Sequence, residues 1–230
     1  MRFLALIPAR GGSRRLPRKN LKLLGARHMI TWTIDVVKDV NEIEYVLVST
    51  DDKDIAKVAL ESGAFVPWLR PVQLATDIAS SVDVAIHALD WYESKFGSID
   101  GLILLQPTSP FRTRATVEEG IHLFKKYEGR PVLAVTHAEN HSLQNFIQVG
   151  EYIYLTKNKS YTHSHKNQDS TFYKPTGSLY IVSPSYLRRE KSFTVGEVVP
   201  VNVASSIEAL DIDTQQDWEL AQSYISANER

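Results

Sequence analysis

The run Phe3-Leu4-Ala5-Leu6-Ile7 contains no polar side chain, and beyond Pro8 it passes straight into a loop of glycine and arginine. A continuous apolar run of this length is the pattern of a strand buried on both faces. The loop after it holds Gly11, Gly12, Ser13, the four arginines Arg10, Arg14, Arg15 and Arg18, and Lys19. Gly11 and Gly12 lack a Cβ, so the backbone there can approach a ligand closely and take positive φ. Backbone N–H groups exposed in such a turn form an anion-binding nest, here ringed by cations. A small molecule with several phosphates fits these parts. The Gly-Lys-Ser/Thr ending of the ATPase P-loop is missing, and so is the dinucleotide Gly-x-Gly-x-x-Gly spacing. A basic surface loop after an edge strand would explain the charge alone. It would not explain why the charge follows a buried first strand, where ligands of open α/β sheets bind.

Strand and helix patterns alternate through the first half of the chain. Strands are expected at 2–8, 44–50, 64–68, 100–106 and 131–136, and helices at 29–40, 54–62, 81–96 and 116–127. Alternation of this kind implies right-handed crossovers and a mostly parallel, doubly wound (Rossmann-like) α/β sheet. From about 137 to 175 the character changes to His, Asn, Ser, Lys and Tyr, with an expected hairpin of 145–149 and 152–156 turning at Gly150-Glu151. The rest of that stretch is too long and polar for an ordinary connection. It is either a surface insertion or an arm ordered by a partner subunit or ligand. Its aromatic residues Phe146, Tyr152, Tyr154, Tyr161, Phe172 and Tyr173 favour the arm, because such residues rarely stay solvated. Burial against a second copy, through one self-complementary patch, would cover them. The α/β pattern resumes with strands at 177–182 and 198–202 and helices at 185–190 and 214–227, the last capped by Thr214 with Asp217 in its first turn.

The chain has 230 residues, 43% of them hydrophobic, enough for one α/β domain with a proper core. The formal net charge of −1 leaves no global basic field, so nucleic acid is not an expected partner and the N-terminal cations are a local feature. Without cysteine there are no disulfides, thiolate catalysis or zinc–cysteine sites. No apolar run approaches a membrane span, and no cleavage-site pattern follows the N-terminal strand, so a cytoplasmic enzyme with no membrane partner is expected.

Three further stretches carry chemistry. In Leu210-Asp211-Ile212-Asp213-Thr214 two carboxylates at i and i+2 of an extended segment point to one side. They suit Mg²⁺, which binds through one or two carboxylates plus substrate phosphates. Helix capping explains Asp213 equally well but not Asp211. Gln106-Pro107-Thr108-Ser109-Pro110-Phe111-Arg112 ends a buried strand in a proline-stiffened turn, with Gln106, Thr108, Ser109 and Arg112 expected to form a polyol-friendly surface. The segment 69–83 feeds a helix through a Ser/Asp cap, and its backbone groups could read a pyrimidine edge, although a capped helix entry explains Ser80, Ser81 and Asp83 by itself.

Residues 7–20, Ile-Pro-Ala-Arg-Gly-Gly-Ser-Arg-Arg-Leu-Pro-Arg-Lys-Asn, resemble the opening motif of the CMP-sialic acid synthetases (acylneuraminate cytidylyltransferases), whose loop holds the triphosphate of CTP. Where the family usually has Lys this chain has Arg14, a planar fork in place of a compact ammonium. Residues 104–112 resemble the family's Leu-Gln-Pro-Thr-Ser-Pro-Leu-Arg, and Asp211-Ile212-Asp213 resembles its magnesium-binding Asp-x-Asp. The family's Arg-Gln and Asn-Gly are replaced here by Asn167-Gln168, with Lys166 nearby, and Thr176-Gly177. Those departures bear on the identity of the sugar, and legionaminate- and pseudaminate-type members lie within the resemblance.

The resemblance implies one nucleotidyltransferase domain over 1–230, with 137–175 as a small inserted dimerisation arm in a homodimer. It implies transfer from CTP to a nonulosonic (sialic-type) acid, giving the CMP-sugar and pyrophosphate with Mg²⁺. Ala9, Arg10, Gly11, Gly12, Ser13, Arg14, Lys19, Asn20, Arg70, Ala75 and Ser81 fall on nucleotide-binding positions. Arg10, Arg14, Lys19 and Asp211 are the catalytic set, and Asp211 and Asp213 the metal ligands. Gln106, Lys166, Gln168 and Tyr173 fall on the sugar-acid side. The alternatives are a cytidylyltransferase for an octulosonate and a nucleotide-binding module without turnover.

Overall fold

The computed structural model describes residues 1–138, 145–156 and 171–228. Strand β1 (Phe3–Pro8) lies inside the sheet between two parallel neighbours. The two-residue strands β2 (Leu23–Leu24) and β3 (Arg27–His28) form a separate hairpin, followed by helix α1 (Met29–Val37), β4 (Ile43–Ser49) and α2 (Lys53–Glu61). Next come α3 (Ser81–Phe96), β5 (Gly101–Leu104), α4 (Arg114–Lys126) and β6 (Val132–His137). The hairpin β7 (Phe146–Val149) and β8 (Tyr152–Leu155) precedes the long strand β9 (Phe172–Val182), then α5 (Pro184–Glu190), β10 (Val199–Asn202) and α6 (Gln215–Asn228).

The main sheet has the order β10-β6-β9-β5-β1-β4, with β7 on β9 and β8 on β7. β1 runs parallel to β4 and β5, and β6 parallel to β10. β9 is antiparallel to both β5 and β6, so the mostly parallel sheet carries one reversed strand in its middle. The two faces of β1 explain why its run is unbroken. Phe3, Ala5 and Ile7 pack into the cluster of Ile30, Ile34, Val117 and Phe124, from α1 and α4. Leu4 and Leu6 pack into the opposite cluster with Ala85, Leu89 and Tyr92 of α3 and Leu187 of α5. Alternate side chains therefore face two helix layers, as period-2 geometry requires.

Three expectations are corrected. Residues 64–68 form no ladder: Phe65 makes one parallel bridge to Leu47, and Leu69 another to Thr50. Pro67 has no N–H to extend the pairing. β9 starts at Phe172, five residues before Gly177, because a register shift between Leu133 and Val135 of β6 absorbs a bulge at Gly177 (φ 77°). Three of the aromatic residues of 137–175 are already covered without a second copy. Phe146, Tyr154 and Tyr173 are buried within their own chain, Phe146 and Tyr173 against Leu133, Val135, Ile153 and Val198. Tyr152 packs edge-on to Tyr127 at 5.8 Å under the Arg130 guanidinium. Tyr161 lies outside the described residues. The hairpin itself turns at Gly150 as expected, pairing Val149 with Tyr152.

α6 completes the fold. Trp218, Ala221 and Ile225 close over Leu16 of the arginine loop, Leu24, Met29 and Ile212. This satellite core brings the last segment of the chain against the first loop.

Candidate active site

A cleft of about 520 Å³ opens at the carboxyl ends of β1 and β5. The loop after β1 forms one wall. Gly11 is there for close approach rather than for positive φ: a Cβ would fall 2.7 Å from Asp52 Oδ2. Its N–H donates to Asp51 at 3.0 Å, so this amide is engaged inside the protein and unavailable to a nest. Gly12 has open space around it and no positive φ. Ala9 is sealed in the core, its N–H on the Ser49 carbonyl at 2.9 Å. The polar side chains flanking the glycines do reach the cleft: Arg10, Ser13, Arg14, Arg15, Lys19 and Asn20 line it. Asn20 also donates to the Arg10 carbonyl at 3.1 Å and braces the loop. Arg18 takes the left-handed conformation (φ 52°, ψ 31°) just ahead of a short 3₁₀ turn, Lys19–Leu21, and it is anchored on Asp54 at 2.6 Å.

Asp211 and Asp213 line the same cleft, while Ile212 between them is fully buried in the α6 core. The alternation read from sequence holds: one residue in, two carboxylates out. Lys19 donates to the Ile212 carbonyl at 2.7 Å and to Asp213 at 2.8 Å, and Arg15 reaches Asp213 at 2.8 Å. The Asp211 side chain is exposed along the cleft wall. Desolvation by the cleft around it pushes its pKa up, a Thr108 hydrogen bond pulls it down, and the charge of Asp213 pushes it up again. Two neighbouring carboxylates on one cleft wall offer hard oxygens to a divalent cation, with room left for phosphate ligands. No group of three or more such ligands exists among the described residues, so a metal here would depend on its substrate for further oxygens.

The floor beside the segment 71–79 is Arg70. Its Nε donates to Ser49 Oγ at 2.9 Å, Nη2 to the Ser49 carbonyl and Nη1 to the Leu74 carbonyl at 3.4 Å. Burial pushes its pKa down to about 10, with Asp51 opposing. Arg70 thus ties the end of β4 to the segment 71–79 while one side lines the cleft. Ser81 lines it from the first turn of α3, but Ala75 is not among the lining residues. Gln106, Pro107 and Thr108 form the far wall. The expected polyol-friendly surface is corrected in part: Ser109 and Arg112 are buried, since the turn folds them inward beneath Gln106. Tyr173 also lies off the cleft, buried with its hydroxyl donated to Gln148 at 2.9 Å. Lys166 and Gln168 lie outside the described residues.

Among the cleft residues given no role from sequence, Asp77 is the charged one. Asp77 accepts from Arg10 at 2.6 Å and forms an ion pair with Arg14. Nothing local marks it, because a loop aspartate near Ser80 reads as part of the helix entry.

A cleft with clustered cations on a strand-end loop and a facing acid pair defines a nucleotidyltransferase, and the comparisons agree. The cytidylyltransferase family profile matches residues 4–112. The CMP-N,N'-diacetyllegionaminic acid synthase of Legionella pneumophila is 34% identical over 100% of this chain and 98% of its own. The N-acylneuraminate cytidylyltransferase of Escherichia coli is 31% identical over 96% of this chain, which spans 51% of that relative's length. In fold, the chain resembles a CMP:2-keto-3-deoxy-manno-octonic acid synthetase solved with CTP, with a TM-score of 0.74, 17% identity and coverage of 99% and 100% of the two chains. The chain belongs to the cytidylyltransferase family and is a nucleotidyltransferase.

Proposed function

We propose that this enzyme transfers the cytidylyl group of CTP to the anomeric hydroxyl of a nonulosonic acid. The observation that carries the reading is the meeting of the arginine loop, the Asp211/Asp213 pair and Gln106 around one cleft. The relatives named for legionaminic and N-acylneuraminic acids support the substrate class.

The hydroxyl oxygen attacks the α-phosphorus in line, the bond to the β-phosphate oxygen breaks, and pyrophosphate leaves while the hydroxyl proton passes to solvent. Positioning and charge neutralisation dominate such a step. Arg10, Arg14 and Lys19 hold the β- and γ-phosphates, exchanging Asp77 and Asp213 for them. Asp211 and Asp213 would hold Mg²⁺, which when bound neutralises phosphate charge. Asn20 and Ser13 complete the triphosphate wall, Arg70 and Ser81 flank the cytosine, and Gln106 faces the sugar acid. We further infer a cytoplasmic enzyme, where CTP is supplied, and a homodimer. The dimer rests on the family resemblance, because Phe146, Tyr154 and Tyr173 are already covered in the monomer. In it, Lys166 or Gln168 serves the neighbouring site. Regained activity on mixing Asp211→Ala with Gln168→Ala chains supports this sharing, and an active monomer in sedimentation refutes it.

The deciding experiment is pyrophosphate release from CTP with N,N'-diacetyllegionaminate, pseudaminate, N-acetylneuraminate and 3-deoxy-manno-octulosonate in turn, repeated with ATP and GTP. Release with CTP and a nonulosonate is expected. Release with the octulosonate alone, equal use of ATP, or nucleotide binding without turnover overturns the reading.

A further inference from the structure

Arg112 is the largest side chain sealed in the interior, 2% exposed. No carboxylate pairs with it among the described residues. Its guanidinium instead reaches three oxygens on three elements. Nη2 donates to the Gln106 carbonyl at 2.8 Å, Nη1 to the Thr33 hydroxyl of α1 at 3.2 Å, and Nε to the Ser178 carbonyl of β9. Burying a cation without a counter-charge is strongly unfavourable, and a hydrocarbon of similar size fills the same space more easily. Burial pushes the Arg112 pKa down to about 9, which the distant charge of Glu208 only partly offsets. A residue held there against that penalty does something packing alone does not.

Its bonds show what. They tie the end of β5, at Gln106, to the bulge of β9, at Ser178. Between the two ties lies the Gln106 side chain. Gly177 takes φ 77° so that the bulged backbone can pass beneath that amide, and a Cβ at 177 would fall 2.6 Å from Gln106 Oε1. Ser109 closes the same notch, its hydroxyl donating to the Thr176 carbonyl at 3.3 Å. The Gln106 amide itself makes no hydrogen bond among the described residues, and Gln106 lines the cleft. Three diverging acceptors suit a planar five-donor fork and not an ammonium.

We propose that Arg112 is a positioning residue for the sugar-acid half of the cleft: together with Gly177 it sets where the Gln106 amide stands, and so contributes to the choice of sugar acid. This rests on the reading that Gln106 faces the sugar acid.

The test is steady-state kinetics of Arg112→Lys, Gly177→Ala and Gln106→Ala, varying CTP and the best acceptor of the four acids above separately. Each variant is expected to raise the sugar-acid KM about tenfold, the scale of one well-placed hydrogen bond, and to leave the CTP KM nearly unchanged. A merely structural role for Arg112 lowers kcat through loss of folded enzyme, or raises both KM values together, and either result overturns the proposal. Should Arg112→Lys fail to fold, Gly177→Ala decides, since it displaces the same amide from the other side; an unchanged sugar-acid KM there is fatal. An unchanged sugar-acid KM in Gln106→Ala overturns the reading of the site itself. A raised KM in Gln106→Ala with none in Arg112→Lys and Gly177→Ala overturns the positioning inference alone.

Discussion

Lys19 Nζ stands 2.8 Å from Asp213 Oδ1, an ion pair between residues 194 positions apart. It joins the first loop of the chain to the last extended segment, and in the proposed reading it sets the cation assigned to phosphate beside the anion assigned to metal. In the free protein each neutralises the other. Under the proposed function, substrate and metal arrive as a set that replaces both partners.

The acid pair is the part of that set with least redundancy. Asp211→Ala and Asp213→Ala should each lower pyrophosphate release about 10²–10³-fold, the usual effect of removing one transition-state electrostatic group. The unfolding midpoint should move little in Asp211→Ala, whose side chain is exposed in the cleft, and fall in Asp213→Ala, which leaves the buried Lys19 ammonium without its carboxylate. Near-native turnover of both variants in Mg²⁺ would exclude the metal assignment.

Asp77 pairs with Arg10 and Arg14, so under the proposed function it competes with the triphosphate for both. Asp77→Asn should tighten CTP binding about two- to fivefold at low salt, in line with an exposed ion pair of up to ~1 kcal/mol. The gain should shrink as salt rises. Calorimetric titration with CTP at two ionic strengths checks this, and weaker binding in the variant contradicts it.

Gly101 packs under the Phe3 ring. A Cβ there would meet Phe3 Cδ1 and Cε1 at 2.6 Å and Phe124 Cε1 at 3.3 Å, in a pair of buried rings already edge-to-face at 5.5 Å. Gly101→Ala should destabilise the fold by about 1–3 kcal/mol through overpacking, visible as a lower urea midpoint with unchanged slope. An unchanged midpoint would show that the rings can move.

Asp217 caps α6. Its carboxylate accepts from the Thr214 N–H at 2.7 Å, the Thr214 hydroxyl at 2.8 Å and the Asp213 N–H at 3.0 Å. Burial raises its pKa, but these bonds outweigh burial and hold the carboxyl below its ordinary value. A carboxyl with a depressed folded pKa contributes stability above its unfolded pKa and loses it as pH falls through the folded one. Asp217→Asn should therefore cost about 0.5–1 kcal/mol at neutral pH, a partly solvated cap being screened. The gap should close as pH drops below about 4. Urea denaturation across that range measures it, and a pH-independent gap would show that the charge is immaterial.

The sequence by itself determined what depends on neighbours a few positions away. The two-faced burial of β1, the span of α3, the turn at Gly150, the Thr214 cap and the outward pair Asp211/Asp213 around buried Ile212 all follow from periods of 2 or 3.6 and from side-chain capping. Only the tertiary structure decided what depends on partners far along the chain. β9 enters antiparallel between β5 and β6, Arg112 turns inward onto Gln106, Thr33 and Ser178, and Asp77 crosses the cleft to Arg10. Phe146 and Tyr173 close over Val198 in their own chain. A buried arginine and a surface arginine look alike in one dimension, because the oxygens that satisfy the buried one belong to segments as many as 79 positions away, and no local period encodes their arrival.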